Sequence, residues 1–583
     1  MKNLKFLNKY LLRYKLRFGL GTLFVGLSVF FSILVPPAIR DALDYINDRV
    51  QSLDGNQAEG TFSEVLGAEI LTYVAMVLGF YALSGFFMYL MRKTIIVMSR
   101  LIEYDLRKDI YAHYQQMDLS FFKRNKTGDL MARVSSDVSK VRMYLGPAIM
   151  YGIRVTFLFS FIIYSMFQVS ATLSWYALLP LPFLSISIYY VSSIINKKSA
   201  IIQEQVSTLN STAQEVYSGI RIVKSYVKES EFQAFFKDQS LDYRDKALKL
   251  AKVQALFFPL MILLVSLSTL LTIYVGGGLV VAGEISTGNI AEFVIYINML
   301  TWPITSIGWI ASLVQQAEAS QARINEIMHT QPSIQSGSEP ITDFKGRIEF
   351  KDVSFTYPDT GIEALKNISF VVEPGERLII VGKTASGKST IAELLLRFYN
   401  VTSGAIYIDG KNINTIKLES LRQKMGYVPQ NVFLFSDLIS ENIKFGAPHS
   451  EPSEIRAYAE KAAVAKDIKE LPEQYETQVG ERGVTLSGGQ KQRISLARAL
   501  IKNPDVILLD DSLSALDANT EHAILEHLDT DLKGKTCIII THRISNQLDF
   551  DKVIVLADGK IEHQGTHSEV VNENAYYNQL VQV

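Results

Sequence analysis

The chain has 583 residues, 48% of them hydrophobic; the length allows about four ordinary domains, and the positive mean hydropathy puts part of the chain in lipid. Its 58 basic residues almost balance 59 acidic ones, which gives no support to a nucleic-acid partner. The single cysteine, Cys537, excludes a disulfide within the chain, and its apolar setting in residues 536–541 marks a buried strand thiol.

Lys2, Lys5, Lys9, Arg13, Lys15 and Arg17 precede an uncharged apolar run over residues 18–39. The run is too long for a signal-peptide core, no small-residue cleavage site follows it, and it reads as a retained transmembrane helix. Five more runs follow, roughly residues 70–91, 147–167, 174–195, 255–282 and 290–314. Each is long enough to cross about 30 Å of hydrocarbon as a helix, and six such runs are hard to place as buried helices in water.

Charge orients them. Residues 41–69 carry Asp41, Asp44, Asp48, Asp54, Glu59, Glu64 and Glu69 against Arg49 alone, whereas residues 92–145 and 196–254 are studded with Lys and Arg. By the positive-inside rule both termini are cytoplasmic, in a multi-pass protein of the cytoplasmic membrane. The two basic connections are helical in pattern and nearly free of Gly and Pro, so each predicts a helical hairpin reaching tens of ångströms from the bilayer. Their tips fall at residues 119–129 and 217–226. Arg154, the one basic residue well inside a span, reads slightly better as a snorkelling side chain than as a grip on an anionic substrate. Tyr296, Asn298, Thr301, Trp302 and Ser306 of the sixth run suit cavity lining and helix packing equally, and Pro180, Pro182, Pro259 and Pro303 predict bends.

Residues 329–343 are rich in Ser, Gly and Pro. They mark a linker between a membrane domain, residues 1–328, and a second domain, residues 344–583, in which short β runs alternate with helices as in an α/β fold. There Gly382, Lys383, Thr384, Ala385, Ser386, Gly387, Lys388, Ser389 and Thr390 follow an apolar run and precede a helical pattern. This is the strand, tight loop and helix of a P-loop, G-x-x-x-x-G-K-[ST]. Its N–H groups point at phosphates, Lys388 neutralises the β- and γ-phosphates, and the Ser389 hydroxyl ligates Mg²⁺. Four apolar residues and then Asp510 form a second element, a buried strand delivering a carboxylate to the Mg²⁺ shell.

Leu486, Ser487, Gly488, Gly489 and Gln490 begin 99 residues beyond Gly387 and end twenty before Asp510. With these three motifs in order behind six spans, the whole chain resembles the ATP-binding-cassette (ABC) family. The arrangement is that of an exporter-type half-transporter, six spans fused to one cassette, as in multidrug and lipid exporters. The fold implied is an all-α polytopic domain followed by an α/β P-loop cassette. By the same resemblance Tyr357 stacks on adenine, and Gln430 touches Mg²⁺ and the attacking water. Residues 477–483 sense the membrane domain, Asp517 belongs to the D-loop, His542 holds the γ-phosphate, and the two tips are coupling helices. Ser487, Gly488, Gly489 and Gln490 close over ATP held by a partner's P-loop, their donors at a helix start forming an anion site. A dimer is therefore implied, with ATP and Mg²⁺ as cofactors and a lipid-like or other hydrophobic substrate.

Two positions depart from the family pattern. Ala385 stands where the family has Gly, and binding is expected to survive if its φ is negative. Asp511 stands where the family has a catalytic Glu; one methylene shorter, it predicts slow hydrolysis at this P-loop. In the family that exchange often marks the degenerate half of a heterodimer, which is favoured modestly here, while the intact His542 also allows a slow homodimer. An ATP-gated channel and a regulatory cassette ATPase are the competing functions; the fused spans argue against the second.

Overall fold

The structure, a computed structural model, describes residues 2–52, 62–480, 486–512, 518–531, 533–544 and 550–581. It divides into two compact units, one of Met1–His113 with Gly128–Thr330 and the other of Tyr114–Thr127 with Gln331–Val583.

The first unit carries six helices long and apolar enough to cross a membrane: Lys15–Gln51, Glu69–Gln116, Thr127–Val169, Ala171–Ser218, Glu229–Val281 and Thr287–Met328. They are the six apolar runs prolonged by the charged connections, which continue them as helix. Breaks occur where backbone chemistry demands. The first helix is interrupted at Leu34, between Lys15–Ile33 and Val35–Ser52, because Pro36 and Pro37 lack the N–H that the ladder needs. The fourth is interrupted at Leu179, and Pro180 then occupies the first position of the next helix, where a missing donor is harmless. Two π-helical turns, Arg133–Asp137 and Tyr144–Ala148, interrupt the start of the third.

Apolar residues at helical spacing fill the bundle, among them Leu158, Ile162 and Met166 against Phe293, Ile297 and Leu300. Asp44 accepts hydrogen bonds from the Ser286 hydroxyl (2.5 Å) and the Gly288 N–H (2.8 Å), which ties the first acidic connection to the start of the sixth helix. Tyr296 and Ser306 are buried, and the Tyr296 hydroxyl donates to Glu292 at 3.1 Å. Asn298 and Thr301 instead border a cavity of about 750 Å³ with Met261, Val265 and Thr269 of the fifth helix. The sixth run thus divides its polar residues between packing and lining.

In the second unit the described strands form two sheets. The antiparallel sheet contains β1 (Ile348–Thr356), β2 (Glu363–Val372), β4 (Ser403–Ile408) and β5 (Lys411–Asn412), in the order β2-β1-β4-β5. β1 carries a register shift between Phe350 and Val353. Asp352, at φ +49°, makes the bulge. The second sheet holds β3 (Arg377–Gly382), β6 (Met425–Val428), β7 (Val506–Asp510), β8 (Thr536–Ile540), β9 (Lys552–Ala557) and β10 (Lys560–Gly565), in the order β10-β9-β3-β8-β7-β6. β7 and β8 are buried at every residue, as central parallel strands covered on both faces must be. Cys537 lies within β8, where complete burial pushes its thiol up to about 12.

A short helix, Leu119–Arg124, belongs to this second unit although it lies between two spans in the sequence. Asp118 caps it by accepting the Phe121 N–H at 3.0 Å, and the same carboxylate accepts the Ser333 N–H at 2.7 Å and the Ser333 hydroxyl. Leu119 packs on the core under the antiparallel sheet. One carboxylate therefore starts the helix and fastens it to the incoming cassette chain.

Candidate nucleotide site

β3, β8 and β7 are adjacent and parallel, so their C-terminal ends open at one edge, where α/β sheets place their ligands. The chain leaves β3 into the P-loop, β7 into Asp511 and β8 into His542. The Asp511 N–H still donates to Ile540 O at 2.8 Å, which sets the two loop starts side by side. A cavity of about 650 Å³ results, lined by Tyr357, Thr384, Ala385, Ser386, Gly387, Lys388, Ser389, Thr390, Gln430, Asp510, Asp511 and His542.

Gly387 opens the P-loop helix Lys388–Leu395 at φ +99°, a conformation suited to glycine, and a Cβ there would collide with the Ala364 carbonyl. Ala385 corrects the sequence expectation. Its φ is +65°, not negative, so the methyl is carried in a strained left-handed conformation. Gly382 and Lys383 do not line the cavity; their carbonyls each accept a hydrogen bond from Lys388 Nζ at 2.8 Å. Burial holds the Lys388 ammonium below its ordinary pKa despite Asp511 and Asp510.

Ser389 Oγ donates to Asp510 Oδ1 at 3.0 Å. Burial, then the neighbouring Asp511 and Glu393 charges, push the Asp510 carboxyl up to about 6 against that hydrogen bond. Gln430 Nε2 donates to Asp511 Oδ2 at 3.2 Å. His542 is held below its ordinary pKa by burial and by Lys388, so its imidazole is neutral at pH 7. The Tyr357 hydroxyl is fixed to the P-loop helix, 2.9 Å from Thr390 Oγ1 and donating to Glu393 Oε2 at 2.9 Å.

Ser487, Gly488, Gly489 and Gln490 do not border this cavity. Ser487 and Gln490 form a capping box at the start of helix Gly488–Ile501, with Ser487 Oγ accepting the Gln490 N–H at 3.2 Å. That bond occupies an oxygen lone pair and leaves the hydroxyl hydrogen for an outside acceptor. Asp517 and residues 481–483 lie outside the described residues. Arg154, in the third span, is half-buried with no hydrogen-bond or ion-pair partner among the described residues. One turn before it, Tyr151 packs against Trp302 and Trp309 at ring distances of 5.4 and 5.7 Å. Glu393, which holds the Tyr357 hydroxyl, was invisible in the sequence, since no motif contains it.

A P-loop cassette with phosphate, carboxylate and imidazole elements around one cavity, on a chain with six membrane-spanning helices, defines a membrane-bound nucleotide-driven machine. The family model for the ABC transporter transmembrane region matches residues 18–304, and that for the ABC transporter cassette matches residues 365–514. The chain belongs to the ABC transporter family, as an exporter-type half-transporter whose ATP hydrolysis is coupled to transport. It is similar to the probable multidrug resistance ABC transporter ATP-binding/permease protein YheI of Bacillus subtilis, with 39% identity over 82% of this chain and 82% of the relative. The multidrug resistance-like ATP-binding protein MdlA of Escherichia coli is 34% identical over 88% of this chain and 87% of its own. The ATP-dependent lipid A-core flippase of Pseudomonas fluorescens is 34% identical over 82% and 79%.

Proposed function

We propose that this chain drives export, or leaflet flipping, of a hydrophobic or amphipathic substrate across the cytoplasmic membrane, with its N-terminus and cassette in the cytoplasm. It works by alternating access as one half of a dimer. The observation that carries this reading is the gathering of Lys388, Ser389, Gln430, Asp510, Asp511 and His542 around one cavity while the signature residues face elsewhere. A cavity furnished for one face of a nucleotide needs a second chain for the other. The multidrug and lipid A-core names of the relatives support the substrate class, and Arg154, beside the Tyr151–Trp302–Trp309 cluster, suits an anionic group on such a substrate.

In this mechanism Lys388 and the loop N–H groups hold the β- and γ-phosphates, and Tyr357 supports adenine. The Ser389 hydroxyl and Asp510 carboxylate, hard oxygens 3.0 Å apart, fit Mg²⁺, with Gln430 as a further ligand. Bound there, the ion neutralises charge on the phosphate oxygens. Asp511 orients the attacking water, and His542, neutral, donates to the γ-phosphate. Ser487, Gly488, Gly489 and Gln490 receive ATP from the partner's P-loop, with Asp517 at the same interface. Because Asp511 is shorter than Glu, own-site turnover is slow, which favours the degenerate half of a heterodimer; a slow homodimer is the second reading, favoured by His542 in the cavity. Purification without an added partner tests this. ATP turnover abolished by Lys388→Ala supports the homodimer, turnover only after a second cassette protein is added supports the heterodimer, and turnover indifferent to Lys388→Ala refutes both.

A further inference from the structure

Lys123, in the short helix Leu119–Arg124, lies with its Nζ 5.0 Å from the Tyr357 ring centroid and 5.1 Å from that of Tyr399. The two rings meet edge to face, 5.4 Å apart and 86° between planes, so one ammonium faces both π surfaces. Tyr357 borders the nucleotide cavity and Lys123 does not. The Tyr357 hydroxyl is itself tethered to Glu393 and Thr390. Burial works against the Lys123 charge, but the Tyr399 hydroxyl and the Glu393 and Asp359 carboxylates outweigh it, and the ammonium persists above its ordinary pKa.

We propose that Lys123 is a positioning residue for the base: it fixes the Tyr357 ring and draws electron density from it, so that the first cytoplasmic tip forms part of the adenine platform. Cations sit favourably on tyrosine faces, and a ring polarised from one side stacks more strongly on an electron-rich base at the other. Tip and nucleotide are then linked reciprocally. Whatever loosens the tip weakens ATP, and ATP holds the tip, to the same factor. This rests on the reading that Tyr357 carries adenine.

The test is equilibrium binding to the full chain in nanodiscs, without Mg²⁺ to prevent turnover, of two probes: ATP, and inorganic tripolyphosphate, which has no base. Lys123→Met keeps the apolar stem and removes the charge. It is expected to weaken ATP about fivefold, in the range of a partly exposed cation–π contact, to leave tripolyphosphate unchanged, and to be rescued by Lys123→Arg. In a Tyr357→Ala background the Met substitution is expected to add nothing further. ATP weakened in Tyr357→Ala but not in Lys123→Met overturns the proposal, as does equal weakening of both probes by Lys123→Met. Unchanged ATP affinity in Tyr357→Ala overturns instead the adenine reading on which it rests.

Discussion

Asp511→Glu tests most directly the proposal that Asp511 orients the attacking water. Asp511 Oδ2 accepts from Gln430 Nε2 at 3.2 Å, at the edge of the cavity that holds Lys388 and Ser389. One added methylene extends the reach of the carboxylate by roughly 1 Å, and a misplacement of that size is worth on the order of a hundredfold in rate, about 2.7 kcal/mol. An opposing effect arises from the backbone: Asp511 sits at φ +48°, where Asp is tolerated better than Glu, and the exchange costs about 1 kcal/mol. That strain is common to the ATP-bound ground state and the transition state, so it lowers stability and leaves turnover untouched. The expected result, for phosphate release by the assembled dimer (with the second cassette chain added where turnover requires it) at saturating Mg²⁺-ATP and with Lys388→Ala as the blank, is a kcat raised about a hundredfold. KM should stay within about twofold, and the cassette should unfold slightly earlier. A kcat that stays flat or falls, while Lys388→Ala still abolishes it, would refute the reach argument.

Ala385→Gly relieves a left-handed alanine (φ +65°) worth about 1–2 kcal/mol, less about 0.5–1 kcal/mol for the extra freedom of glycine in the unfolded chain; cassette stability should rise by as much as about 1.5 kcal/mol, and a destabilised variant would contradict the assigned loop conformation. Asp510 titrates near 6 in the folded chain against an ordinary 3.8. The stability it contributes is thus complete below about pH 4 and lost as pH rises through 6, at most about 3 kcal/mol by pH 7.5. Asp510→Asn should accordingly stabilise the Mg²⁺-free cassette strongly at pH 7.5 and about half as much at pH 5 in denaturant titrations, and an effect independent of pH would disprove it. Cys537, buried in β8 with its thiol pushed up to about 12, should resist thiol reagents at pH 8 until the cassette unfolds; fast labelling of the native chain would show the strand to be accessible.

The meeting of the P-loop with the strand acid at one cavity was legible because each is a short stretch whose local geometry depends on its own spacing, as with Lys388 and Ser389 six and seven residues beyond Gly382. The six spans were legible because hydropathy acts over twenty residues at a time. Ala385 was not, since a residue's name does not reveal the sign of its φ; only the loop's closure around its own carbonyls does. The division of Tyr296 and Ser306 from Asn298 and Thr301 needed the neighbouring helix before any side could be called lining. Lys123 was hidden for a different reason. It lies more than two hundred residues from Tyr357, in a stretch that reads as a basic connection between two membrane helices.

The helix Leu119–Arg124 and the cassette it packs on are also separated in time. About two hundred residues intervene between Thr127 and Gln331, so at roughly 5–20 residues per second the tip leaves the ribosome some 10–40 s before the first cassette residue. During that interval Leu119 and Lys123 have no partner surface. The cassette, once made, must find a segment already tethered between two inserted spans. A cassette expressed alone from residue 331 onward would be missing its first-synthesised piece, and Tyr357 would lack its contact with Lys123.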